Sequence, residues 1–206
     1  MKLYWASRSP FVRKVMILAH ETGQAERLTL ASTAVSMTKA NEVLLNDNPL
    51  SKIPTLVLDD GRPLYDSRLI CEYLDALHGQ RKFFPEAGEA RWDALRRQAL
   101  GDGLMDALIL WRQERLKTLE RQTPELLTAF ALKVATALDQ LEEQAEALAE
   151  APFDIGSVTL GCMLSYIDFR FADLSWRSDR PLLAAWHEGF ESRPSVRATR
   201  PDPVVS

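Results

Sequence analysis

Between Met1 and Gly23 the hydrophobic period changes once, and that change constrains the fold more than anything after it. Lys2 to Ala6 is short, aromatic and apolar, bounded by Ser7-Arg8-Ser9-Pro10, which suits a buried strand. From Phe11 the spacing becomes helical: Phe11, Val15 and Leu18 share a face, Val12, Met16 and Ala19 lie beside them, and Arg13, Lys14, His20 and Glu21 fall opposite. Ser9 suits the N-cap, Pro10 the first helical position, where its missing N–H costs nothing, and Gly23 the position past the last turn. One hydroxyl therefore sits at the positive end of a helix.

Arg27 to Ala31 alternates weakly as a second strand, and after a helix of this length a right-handed βαβ unit is the economical connection. Met37 to Leu45 has helical character, stopped by Asn46-Asp47-Asn48-Pro49. Thr55 to Leu58, the turn Asp59-Asp60-Gly61, and Arg62 to Tyr65 read as a β-hairpin. Asp66-Ser67, either of which fits an N-cap, precede a helix with Leu69, Ile70, Tyr73, Leu74 and Leu77 on its apolar face.

No convincing strand follows residue 78, so a linker is placed near residues 79 to 87. The rest reads as helix: Glu89 to Leu119, with Gly101 and Gly103 as bend points; a helix opened by Thr123-Pro124; a very apolar one after Asp154; and a last one from Pro181. The expected architecture is α/β plus all-α, with a βαβ-ββα domain over residues 1–80 and an all-helical domain over 87–206.

A chain of 206 residues at 46% hydrophobic composition can bury a core of this kind. A net charge of -4 with no basic stripe argues against nucleic acid as a partner. No run approaches the ~18 apolar residues of a membrane span, and the first residues are too short an apolar stretch for a signal sequence, so a cytoplasmic protein is expected. Cys71 and Cys162 stand far apart in helical segments and read as reduced, buried thiols. His20, His78 and His187 form no spaced cluster, so no metal is expected, and Ser9 lacks the GxSxG elbow of a serine hydrolase.

Four segments together resemble the glutathione transferase superfamily. They are Ser9-Pro10-Phe11-Val12-Arg13-Lys14-Val15, Asn48-Pro49-Leu50-Ser51-Lys52-Ile53-Pro54-Thr55-Leu56, Asp66-Ser67, and Arg193-Pro194-Ser195-Val196. The resemblance covers nearly the whole chain and implies a thioredoxin-like domain followed by a helical one. Its Ser-Pro-Phe-x-Arg pattern looks like the serine-type members and a bacterial branch of uncertain substrate. By that resemblance Ser9 donates a hydrogen bond to the glutathione sulfur and a cis Ile53–Pro54 bond turns the Ile53 backbone towards the peptide. Asp66 and Ser67 hold the γ-glutamyl end, and Lys39 and Lys52 reach the glycine carboxylate. A homodimer and a role in detoxification are implied too.

The residue types suit that ligand on chemical grounds. Glutathione brings two carboxylates, an ammonium and a thiol. Asp66 can take the ammonium, Ser67 and the helix after it a carboxylate, and a lysine the other. A thiol of pKa ~8.5 is mostly protonated at neutral pH, and a helix N-terminus with a hydroxyl donor raises its thiolate fraction. Ser9 is also a plain N-cap, and the two roles are compatible, because a hydroxyl accepts and donates at once. Tyr4, inside the strand, reads as core. Trp111, Arg112 and Arg115 are candidates for bordering a second-substrate pocket between the domains, where an Arg favours an anionic electrophile, or else are snorkelling surface residues.

Three departures from the family pattern stand at Ser51, where relatives often have Gly, at Asp66, where they often have Glu, and at Asp154-x-x-Ser157, where they often have Thr-x-x-Asp. The reading that follows is conjugation of the glutathione thiol to a small electrophile. Its alternatives are a glutathione-binding or ligand-binding protein without catalysis, and a glutathione-dependent disulfide or peroxide reductase.

Overall fold

Two strands lie inside the sheet and two at its edges. β1 (Lys2–Trp5) pairs parallel with β2 (Thr29–Ser32) and antiparallel with β3 (Thr55–Val57), which pairs antiparallel with β4 (Pro63–Leu64), giving the order β2-β1-β3-β4. The structure is a computed structural model and describes residues 1–80 and 82–202. Position 81, in the expected linker, and positions 203–206 of the expected second domain lie outside the described residues.

β1 is followed by α1 (Pro10–Glu21), and β4 by α3 (Ser67–Ala76), which packs against α1. Leu3, Ile17, Leu18, Leu56, Ile70 and Leu74 are fully buried there, each worth about 1.5–3 kcal/mol of transfer from water. β2 begins two residues later than expected because Ala25–Arg27 forms a 3-10 turn. The helix expected over 37–45 shrinks to α2 (Glu42–Leu45), because the Asn41 side chain caps it by accepting from the Leu44 N–H at 3.1 Å. Ahead of it the Ser36 hydroxyl accepts from the Thr38 N–H at 3.2 Å, holding a turn.

The chain divides into two compact units, Met1–Gly88 joined by the segment from Pro194, and Glu89–Arg193. The expected second domain ran to the end of the chain. Instead α10 (Pro194–Ala198) belongs to the first unit, where Arg13 Nη2 donates to the Val196 carbonyl at 3.3 Å and the Ser195 hydroxyl donates to Glu21. The polar face of α1 is therefore partly covered, with Arg13 5% and Lys14 0% exposed.

The second unit is helical: α4 (Gly88–Arg115), α5 (Pro124–Glu143), α6 (Ala145–Glu150), α7 (Ile155–Arg170), α8 (Trp176–Asp179) and α9 (Pro181–Glu191). α4 stops at Arg115 rather than 119, because Gln122 Nε2 donates to the carbonyls of Arg115 and Lys117 at 3.2 and 3.0 Å. It runs through Gly101 as one helix, and that glycine serves close packing: a Cβ there would stand 2.8 Å from Thr159 Cγ2. α7 is buried from Ile155 to Ile167, capped by Asp154, which accepts from the Ser157 N–H at 3.0 Å and from Arg97 Nη2 at 2.7 Å. No helix among the described residues is long and apolar enough to cross a membrane.

Candidate functional site

Sheet register gathers the chemically interesting segments at one end of the first unit. β1 and β3 pair through Tyr4 and Thr55, and β3 and β4 through Leu56 and Leu64. Carried two or three residues further, the same register sets Ile53–Pro54 opposite Trp5-Ala6 on one side and Asp66-Ser67 on the other. The loop after β2 leaves from this end too, since the Thr33 N–H donates to the Trp5 carbonyl at 2.8 Å. The Ile53–Pro54 peptide is cis, as is Tyr65–Asp66.

Ser9 caps α1, its Oγ accepting from the Val12 N–H at 3.3 Å, with Pro10 in the first turn. Among the described residues its own proton is given to no acceptor, and the first turn of α1 contains no acid, so the positive helix end is not neutralised locally. Asp66 is the N-cap of α3, one carboxylate oxygen accepting from the Arg68 N–H at 2.9 Å, and Ser67 begins the helix, buried. The question of which residue caps is thus settled for Asp66, and its side chain is exposed.

Lys39 and Lys52 are both exposed. Their segments are tied together, because the Asn41 N–H donates to Ser51 Oγ at 2.8 Å. Ser51 has φ 50, in the left-handed region that favours glycine. In the sequence Asn48 stands as a helix stop and opens the segment that runs to Leu56, with no role assigned to its side chain. It is 1% exposed and organises the turn ahead of the cis bond, donating to the Lys52 carbonyl at 3.2 Å and to Thr55 Oγ1 at 2.9 Å while accepting from the Leu50 N–H at 2.9 Å. An Asn placed before Pro and close to an Ile-Pro pair was the available signal.

Tyr4 is 5% exposed and its hydroxyl donates to Asp47 at 2.6 Å while accepting from Lys2 at 2.9 Å. The Tyr4 hydrogen bond, with Lys2 beside it, holds the Asp47 carboxyl below the usual carboxylate range.

In the helical unit Trp111 is buried against Phe171, ring centroids 4.9 Å apart. Arg115 pairs with Asp173 at 2.8 and 3.3 Å and lies over both rings, and Arg112 is half-buried on the same helix. Cys71 and Cys162 are buried and unbridged. Among the described residues no three His, Cys, Asp or Glu side chains are grouped to hold a metal.

Residues 3–82 match the family model described as the N-terminal domain of glutathione S-transferase, and residues 124–189 that of its C-terminal domain. The chain is similar to the uncharacterized GST-like protein YibF of Escherichia coli (strain K12), at 30% identity over 203 residues, 98% of either chain. It is similar also to the crystal structure of a glutathione transferase family member from Pseudomonas fluorescens Pf-5 with bound glutathione, at 45% identity and a TM-score of 0.94 over 98% of each chain. A second structure from that organism holds S-(propanoic acid)-glutathione; it is 44% identical, with a TM-score of 0.90 over 98% of this chain and 100% of that one.

Proposed function

The chain belongs to the glutathione S-transferase family, with a thioredoxin-like βαβ-ββα unit and a helical one, and from that premise we propose that it conjugates the glutathione thiol to a small electrophile, with Ser9 stabilising the thiolate. The carrying observation is the Ser9 hydroxyl at the N-terminus of α1, engaged as an acceptor by the Val12 N–H and with its proton still to give. The thiol proton leaves to solvent, the sulfur lone pair forms the new carbon–sulfur bond, and the displaced pair departs with the leaving group or is protonated on the acceptor. The Ser9 O–H lowers the energy of the thiolate before attack.

The other contacts are assigned by charge. Asp66 takes the glutathione ammonium with its exposed carboxylate, Ser67 and the start of α3 take the γ-glutamyl carboxylate, and Lys39 and Lys52 take the glycine carboxylate. The Ile53 backbone pairs with the peptide in the manner of an added strand. Glutathione and an S-substituted glutathione, held by relatives at 45% and 44% identity, support glutathione as the co-substrate. This reading also takes the protein as a cytoplasmic homodimer acting in detoxification.

Ser9→Asp separates cap from catalyst. An ionised Asp still accepts from the Val12 N–H but has no proton to donate. The variant is expected to stay folded, to return the bound thiol towards its free pKa in a thiolate absorbance titration, and to lose conjugation about ten-fold or more. Full activity in Ser9→Asp would return Ser9 to a purely structural role. Turnover of a mixed disulfide without conjugation of an aryl halide would favour the reductase reading, and glutathione binding with no lowered thiol pKa the binding-only one.

A further inference from the structure

Between α6 and α9 runs a groove of about 510 Å³, within the ~300–1,000 Å³ range of small-molecule sites. Every residue that lines it belongs to the helical unit, and none is among those assigned to glutathione. One side of it is an aromatic row. The Trp186 and Phe190 rings stack with centroids 6.1 Å apart, and the ring of Phe153, just past α6, follows at 6.3 Å from Phe190. Phe190 is buried and backed by Gly161, where an added Cβ would stand 2.4 Å from its ring. Trp186 and Phe153 stay half-buried, and Leu182 is exposed, so apolar surface within the groove has no cover from the chain.

Gly189 adds depth. Glycine is a poor helix former, and at 101, 156 and 161 it serves close packing, whereas a Cβ at Gly189 would meet nothing within 4 Å. Its bare backbone leaves room for a flat group to approach.

The two ends of the groove carry opposite charge. Glu142 accepts from the N–H groups of Leu182 and Leu183 at 3.1 and 2.7 Å, which sets the start of α9 beside the end of α5 and so towards Glu146 in the first turn of α6. At the other end the Arg193 guanidinium lies over the Phe153 ring, 3.7 Å from its centroid. Among the residues lining the groove, Glu146 is the one acid and Arg193 the one cation. A guanidinium resting on a ring carries its N–H donors at its edge, in the fork that a carboxylate meets with two parallel hydrogen bonds.

We propose that this groove binds a small planar aromatic acid, its carboxylate on Arg193 and its rings over Gly189 along the row from Phe153 to Trp186. The reverse orientation would bring the carboxylate to Glu146, so the end charges select one direction. The proposal does not depend on the conjugation reading.

Calorimetry with glutathione saturating tests it by comparing 2-naphthoate with its neutral counterpart 2-naphthamide. The wild-type protein is expected to bind the acid more tightly. Gly189→Leu puts a good helix former into α9 and fills the groove; it is expected to weaken both ligands about ten-fold or more and to leave glutathione binding within about two-fold. Arg193→Gln is expected to weaken the acid about ten-fold and the amide by less than about two-fold, with Arg193→Lys recovering part of the loss. Thermal unfolding establishes that each variant is folded, and the Arg193 pair decides the matter should Gly189→Leu not be. Failure of the wild-type protein to bind the acid, unchanged binding by folded Gly189→Leu, or equal loss of acid and amide in Arg193→Gln overturns the proposal. Self-association in sedimentation that Gly189→Leu abolishes would assign the groove to a second copy of the chain and overturn it too.

Discussion

Lowering the pH from about 7 to about 4 is expected to cost this fold about 3 kcal/mol through one side chain, His187. It lies on α9, fully buried, with the Phe190 ring stacked 5.8 Å away and the Trp176 ring edge-on at 5.9 Å. Arg177 Nη2 stands 2.7 Å from its Nδ1, and a guanidinium only donates, so Nδ1 is an acceptor and the ring proton is on Nε2. That proton is donated to Ser165 Oγ at 3.0 Å, and Ser165 in turn donates to Glu191 or to the Gly161 carbonyl. The same direction rules Ser165 out as an activated nucleophile, because an imidazole donating to a hydroxyl cannot take its proton.

Burial, the largest cause, together with Arg177, outweighs the opposing pull of Asp168 and Glu191 and lowers His187 from 6.5 to about 4. Between those values the unfolded chain binds the proton and the folded one does not, so stability rises with pH across the window and is lost as pH falls from 6.5 to about 4. At about 1.4 kcal/mol per pH unit the gap gives the stated figure. Urea unfolding at a series of pH values, for the wild-type protein and His187→Gln, measures it. Gln can accept from Arg177 and donate to Ser165 without titrating. Asp47, Asp60, Glu114 and Asp173, whose carboxyls hydrogen bonds hold low, lose stability as pH falls below the ordinary carboxylate value, equally in both proteins. Parallel curves for the two proteins between pH 7 and pH 4 would refute the reasoning.

Ser51→Gly is expected to be close to neutral in urea unfolding, because it relieves a left-handed residue at about 1 kcal/mol and forfeits a hydrogen bond of about the same worth. Ser51→Ala keeps the cost and loses the bond, and should be about 1 kcal/mol less stable than either. Asn48→Ala removes three bonds in the turn over residues 48–55, so urea unfolding should register a loss of about 2–3 kcal/mol and calorimetry a weaker hold on glutathione. Gly161→Ala would put a methyl 2.4 Å from the Phe190 ring and cost about 1–3 kcal/mol in thermal unfolding. Gly189→Ala, with nothing within 4 Å of the added carbon, should instead stabilise α9 by up to about 1 kcal/mol.

What was legible in the sequence is what is local. Ser9-Pro10 and Asp154 declare helix starts through backbone chemistry confined to four residues, and α1, α3 and the helical unit announce themselves by period. Residues 32–48 did not, because they are held by side-chain bonds from Asn41, Ser36 and Ser51 that follow no period. The burial of Arg13 was equally out of reach, since the element covering it starts at Pro194, and periodicity says which residues share a face but not what lands on it. α4 ended early for a similar reason: its last carbonyl, that of Arg115, and the Lys117 carbonyl just past it are taken by Gln122, beyond the helix itself.

Of the candidate site, the caps were readable and the convergence was not. Nothing in the local sequence joins Ser9 to Asp66; the register through Tyr4–Thr55 and Leu56–Leu64 does, and a slip of one residue in either pair would turn the flanking side chains to the opposite face. This gives the Ser9 cap a second consequence. The Val12 N–H bond fixes the hydroxyl oxygen relative to α1 and, by drawing on a lone pair, polarises the remaining O–H, which makes it a better donor to an anion. On the proposed mechanism, capping and thiolate stabilisation are one arrangement seen from two sides. A mutation that loosens the first turn of α1 should therefore raise the bound thiol's pKa even with Ser9 intact, whereas one that leaves the cap and removes the proton should raise it with the helix unchanged.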